Sequence, residues 1–117
     1  MKHIYGIILL LFLVSTSSVA MTIPADSVDL MKAQADSAYA NEDFEGAERI
    51  YLQLAEQGES AVVCYNLGCT YYRQDNIAKA VLWFERASQL DPSDDDIRFN
   101  LAMARGKTID RIIPRHE

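Results

Sequence analysis

The chain contains an internal repeat, and that periodicity limits what it can fold into before any composition is counted. Asn41-Glu42-Asp43-Phe44-Glu45-Gly46-Ala47 is echoed by Gln74-Asp75-Asn76-Ile77-Ala78-Lys79-Ala80. Phe44 aligns with Ile77, Ala47 with Ala80 and Tyr51 with Phe84, each 33 residues later. A unit of this length is one supersecondary element that cannot bury its apolar face alone and stacks on its neighbours to do so. In the second copy, Cys64, Leu67, Gly68 and Tyr71 fall at i, i+3, i+4 and i+7, one stripe of a helix. Ala80, Phe84, Ala87 and, less centrally, Leu90 form the facing stripe of the next helix. Gly68 and Ala80 are small enough for two helix axes to approach closely, with Tyr71 and Phe84 filling the space beside them.

Asp75-Asn76 marks the hairpin turn and can cap the helix that follows. Asp91-Pro92 ends that helix, because a residue before proline is pushed out of the α region. Ser60 opens the first helix of this pair, and Asp26 or Ser27 that of the preceding pair. The spacing predicts helices over 25–40, 44–57, 60–73, 77–90 and 94–105. Asp94, Asp95 and Asp96 open the fifth, where acids suit the positive end of a helix dipole. Its Ile97, Leu101 and Ala104 should pack back on the second hairpin, leaving a first helix without a full partner. Ile109, Ile112 and Ile113 follow as a short apolar tail before Pro114. The expected fold is all-α: an α–α superhelix of two helical hairpins plus a C-terminal capping helix. Repeat 1 covers about 28–60, repeat 2 about 61–93, the capping helix about 94–105 and the tail 106–117. Two repeats fall below the usual three. Marginal stability, or a homo-oligomer formed through the C-terminal tail, is therefore expected.

The opening residues read as an export signal. Lys2 and His3 precede an apolar run of 11 residues, Ile4 to Val14, and Ser18-Val19-Ala20 has the small-x-small pattern of a cleavage site. That run is short of the roughly 20 residues a helix needs to cross a bilayer. No cysteine follows it, which argues against a lipoprotein anchor there. Cleavage near Ala20 would leave residues 21–117 as one domain in the periplasm or cell envelope. The net charge of −6 becomes −7 when Lys2 is removed. An acidic surface repels phosphate backbones, so nucleic acid is not an expected partner. On one helix, five positions apart, Cys64 and Cys69 have Cα atoms about 8 Å apart, beyond the roughly 7 Å limit for a disulfide. Free thiols or intermolecular links are expected.

The order Leu67-Gly68-x-x-Tyr71, Ala80-x-x-x-Phe84, Ala87 and Pro92 closely resembles a tetratricopeptide repeat, with Cys64 where that family usually has tryptophan. The first copy is more degenerate. Ala35, Ala38, Ala47 and Tyr51 hold the small and aromatic positions, and Gln34 replaces the leucine. The resemblance implies a protein- or peptide-binding adaptor without chemistry of its own. In a stacked array the first helices line the concave side. The residues there not spent on the hairpin are Val62, Tyr65, Asn66, Cys69, Tyr72 and Arg73, with Asp29, Lys32, Asp36 and Tyr39 one repeat earlier and Asp96, Phe99, Asn100 and Met103 in the last helix. Aromatics edged by charge suit an extended or helical peptide, although tyrosines there can equally be internal packing. Some relatives grip a C-terminal carboxylate with Lys, Asn and Arg. Lys32 and Asn66 match that clamp, but Asp36, Asp96 and Asn100 do not, and an aspartate would repel the ligand.

Asn100-Leu101-x-x-Ala104-Arg105-x-Lys107-Thr108-x-Asp110-x-Ile112 is similar to the BatE-type proteins of the Bat (aerotolerance) group of bacterial envelope proteins. That likeness implies a membrane-associated complex with a MoxR-type ATPase and von Willebrand factor A-domain proteins. No catalytic residue, cofactor or metal site is expected. The two histidines, His3 and His116, sit at the chain ends, which removes the base that Ser or Cys nucleophiles need. Cys64-x4-Cys69 lacks redox C-x-x-C spacing and further zinc ligands. Cys64 reads as a buried filler. Cys69, on the concave stripe, leaves open a thiol-based sensor of oxidative stress.

Overall fold

The computed structural model describes residues 24–112. The segment expected to be an export signal, Ile113, Pro114 and both histidines lie outside the described residues. Five helices follow one another: α1 (Ala25–Ala40), α2 (Phe44–Gln57), α3 (Ala61–Arg73), α4 (Ile77–Leu90) and α5 (Asp95–Ile112). No strand occurs among the described residues. The architecture is the expected all-α stack of two helical hairpins and a closing helix.

Local chemistry sets the boundaries. Asp43 Oδ1 accepts from the Gly46 N–H at 3.0 Å, Ser60 Oγ from Val63 at 3.2 Å, Asn76 Oδ1 from Lys79 at 3.3 Å and Asp94 Oδ1 from Ile97 at 3.0 Å. Each satisfies one orphan donor of a first turn, a bond whose loss costs about 1 kcal/mol. α1 differs from expectation. Its cap is Pro24, which makes no side-chain bond, rather than Asp26 or Ser27. The carbonyl of Pro24 instead accepts from Ser27 and Val28, at 2.9 and 3.1 Å.

The repeat extends to the backbone of the hairpin turns. Glu42 and Asp75 both stand at φ 62°, in the left-handed region. The next N–H, of Asp43 or Asn76, reaches back to the carbonyl of Ala38 or Tyr71, at 2.8 and 2.9 Å. This is the helix-ending motif in which a left-handed residue lets later N–H groups satisfy the last carbonyls. Its reappearance 33 residues on makes the two hairpins the same structure, not merely the same pattern.

Both faces of α3 are buried. Val63, Leu67 and Thr70 occupy one, Cys64, Gly68 and Tyr71 the other. Each of the end helices has one of these faces in contact. In α5, Ile97, Leu101 and Ala104 stand 34 residues after Val63, Leu67 and Thr70 and are buried. Arg98, Ala102 and Arg105, in the places of Cys64, Gly68 and Tyr71, are exposed. α1 shows the converse: Ala35 is fully buried, while Leu30, Gln34 and Ser37 face solvent. The two arginines on the outer face of α5 pair with Asp95 and, at 2.8 Å, with Glu85. A face that would have to be apolar to receive another helix is thus solvated, which is how a capping helix differs from an interior one.

Two expectations need correction. Leu90 does not share the α4 stripe with Ala80, Phe84 and Ala87; it is 49 % exposed. The helix expected to end at 105 runs to Ile112, so Ile109 and Ile112 lie on α5 and not in a separate tail. Gly106 does not break it, and three contacts hold the extra turns. Thr108 Oγ1 donates to the Ala104 carbonyl at 3.2 Å, Lys107 Nζ sits 4.5 Å from the Tyr72 ring centroid, and Arg111 pairs with Asp75. No helix among the described residues is long and apolar enough to cross a membrane.

Candidate functional site: the concave face

The first helices α1, α3 and α5 carry the surface on which the sequence places a partner. Between α1 and α3 lies a cavity of about 490 Å³. Lys32, Asp36, Tyr39, Val62, Tyr65, Asn66 and Cys69 line it, all expected on the concave stripe. Tyr51 completes it. Sequence reasoning spent Tyr51 on the hairpin core, and it is 2 % exposed. Its hydroxyl nonetheless reaches the cavity, where it donates to Asp36. The signal was available: a tyrosine stands where the second copy has Phe84, and a buried phenol needs an acceptor.

Tyr65 also walls a second cavity of about 110 Å³ between α3 and the start of α5, with Ala61, Val62, Asp91, Asp94, Asp96 and Ile97. Tyr65 lies 5.8 Å from Phe84 between centroids, and its hydroxyl accepts from Asn100 Nδ2 at 2.9 Å. The phenol is thus core on one side and groove on the other. Tyr39 divides in the same way, meeting Phe44 edge-on at 5.3 Å.

The remaining expected site residues do not line these cavities. Tyr72 is covered by Lys107. Arg73 stacks 4.8 Å from the Phe44 centroid and pairs with Glu42 at 3.4 Å. Phe99 and Met103 project from α5, 70 % and 38 % exposed. The repeat-signature residues Leu67, Gly68, Tyr71, Ala80, Phe84 and Ala87 are buried, and Pro92 is exposed in the turn after α4.

Burial raises the Cys64 and Cys69 thiols above their ordinary values, and both are free. At Cys69 desolvation outweighs the Tyr65 hydrogen bond that favours the thiolate. A protonated thiol is a poor nucleophile and a slow target for peroxide. Among the described residues no cluster of His, Cys, Asp or Glu could hold a metal ion.

Four phenols are also shifted, Tyr39 among them, where burial raises the group against the opposing charge of Arg73. Burial pushes Tyr65 up to about 12, helped by Cys69 and by the charges of Asp96 and Asp94. It does the same for Tyr71, beside Glu48, and drives Tyr51, bonded to Asp36, higher still. A folded pKa above the unfolded value of 10.0 means that the fold favours the neutral phenol. That stability is intact below pH 10 and is lost as pH climbs toward 12 and beyond. Alkaline titration should therefore show phenolate absorbance from these residues arriving together with loss of helical circular dichroism. Full ionisation near pH 10 with helix intact would contradict their burial.

The helical stack and its repeated turn agree with comparison to known proteins. Residues 61–94 match the tetratricopeptide repeat family. Such repeats are protein-interaction modules. The match stops at Asp94, short of the tail on which the likeness to the Bat group rests. Among curated proteins, the intraflagellar transport protein 70A of Xenopus laevis is 32 % identical over 75 residues, which are 63 % of this chain and 11 % of that protein. The chain thus spans about a tenth of the length of this relative.

Proposed function

We propose that the chain is a non-catalytic adaptor that presents its tetratricopeptide groove to a protein segment in the bacterial cell envelope. The observation that carries this is the concave cavity of about 490 Å³, built, apart from Tyr51, from side chains that the hairpin core leaves over. Polar and aromatic groups line it, with Lys32 and Asn66 available to main-chain carbonyls and Tyr39 and Tyr65 to side chains. The export signal supports a periplasmic or envelope location. The tail from Asn100 to Ile112 supports a place in a membrane-associated complex of the Bat and MoxR type. The rival reading of Cys69 as an oxidative sensor meets a half-buried thiol with a raised pKa.

Tyr65→Ala and Tyr72→Ala, together and singly, test the groove. Affinity capture from the native envelope with each variant, normalised to folded protein, should fall at least about fivefold for Tyr65. Tyr72, under Lys107, should change little. Undiminished capture by a Tyr65→Ala protein with a lowered melting temperature would make that residue core alone.

Self-association is a second reading, favoured by Ile109 and Ile112, which are 57 % and 74 % exposed on one end of α5. Light scattering across micromolar concentrations should show dimers that Ile109→Glu with Ile112→Glu abolishes. A monomer throughout removes this reading.

A further inference from the structure

We propose that the concave groove recognises a lysine or arginine of its protein partner, seated in the small cavity between α3 and the start of α5. This rests on the adaptor reading and names what the groove selects. Of the residues lining that cavity, Asp91, Asp94 and Asp96 are carboxylates, and none is Lys, Arg or His. Neighbouring groups leave this charge largely uncompensated. Arg98 is committed to Asp95. Asp94 accepts from the Ile97 N–H and Asp91 from Ser93, bonds that use one oxygen each and neutralise nothing. Asp96 has a hydrogen bond at its backbone carbonyl, from Asn100, and none at its carboxylate. The α5 dipole contributes roughly half a positive charge at this end, against three negatives. Asp94 and Asp96 both act to raise the Tyr65 phenol, so the field extends into the cavity.

The walls decide what kind of cation fits. Among the described residues no acidic cluster has the arrangement a metal ion needs. Val62, Ile97 and the Tyr65 ring supply an apolar and aromatic side. A long side chain with an aliphatic stem and a charged head satisfies both surfaces at once, stem against the apolar wall and head toward the carboxylates. At about 110 Å³ the space suits one such side chain. Tyr65 and Val62 belong to both cavities, so a segment lying in the larger one is placed to send a side chain into the smaller.

The test is selection from a random peptide library displayed on phage, against the full chain as the expressing cell processes it. Enriched peptides should carry Lys or Arg at one fixed position, and replacing it with norleucine should weaken binding about tenfold. Asp96→Lys should lose these peptides and favour ones with Glu or Asp at that position, with helical circular dichroism unchanged. Enrichment without a fixed basic position leaves the groove reading intact and overturns this one. Enrichment of nothing overturns both. Calcium chloride that shifts the Tyr65 and Ile97 amide resonances without peptide would make the cavity a metal site and also overturn it.

Discussion

Gly68→Leu is expected to unfold the second hairpin, and even Gly68→Ala should cost about 1–3 kcal/mol through overpacking. A Cβ built on Gly68 would stand 2.8 Å from Phe84 Cγ, and closer to two other ring atoms. Phe84 has no room to retreat. It is 1 % exposed, and Tyr65 leans on it from the groove side at 5.8 Å. The strain must therefore be taken up by parting α3 from α4. In a domain of this size each kcal/mol lowers the melting temperature by about 4–8 °C. Gly68→Ala should be clearly weakened and Gly68→Leu largely unfolded at ambient temperature. A double-mutant cycle isolates the contact. Phe84→Leu alone leaves a void, yet combined with Gly68→Ala it makes room, so the pair should cost at least about 0.5 kcal/mol less than the sum. Strict additivity would mean that these residues do not meet.

The same contact shows what the sequence makes legible. Gly68 could be read as a point of close approach from its i+4 spacing after Cys64. The partner expected across it was Ala80, with Phe84 beside; the structure puts Phe84 itself over the glycine. Spacing identifies a face, whereas the side chain that fills the gap depends on rotamers and helix crossing, which one-dimensional pattern does not contain. The starts at Ser60 and Asn76 were legible because a cap is a local bond, whereas Asp94, read as a dipole-matching acid inside the helix, caps it from outside. Pro24 was not legible, because a helix can start on a carbonyl alone. The end of α5 was missed because its last turns are held by Lys107 on Tyr72 and Arg111 on Asp75, contacts between residues far apart in sequence.

The groove divides in the same way. Seven of its eight lining residues follow from a helical stripe on α1 and α3. Tyr51 comes from a second helix and enters because its phenol is long enough to cross the hairpin and bond Asp36. Phe99 and Met103 share that stripe in α5 but line neither cavity, since no further first helix packs beside them among the described residues.

Leu101→Asp should detach α5 while leaving the two hairpins paired. Leu101 is 7 % exposed, between Ile97 at 2 % and Ala104 at 0 %, and these three side chains hold the helix to α4. Truncation to alanine at such a site costs about 2–5 kcal/mol. An aspartate adds the penalty of a carboxylate with no partner in an apolar seam. With the helix goes one wall of the acidic cavity, together with the Asn100 bond to Tyr65 and the Lys107 cover on Tyr72. Exposed ion pairs such as Arg105–Glu85 cannot hold it, being worth less than about 1 kcal/mol each. Hydrogen exchange should accelerate across 95–112 and stay protected in α2 and α3. Ala102→Asp on the outer face is the matched control, one position away and expected within about 0.5 kcal/mol of the parent. Equal destabilisation by the two substitutions would mean that α5 packs on both faces, and the array would then lack the end that Arg98 and Arg105 give it.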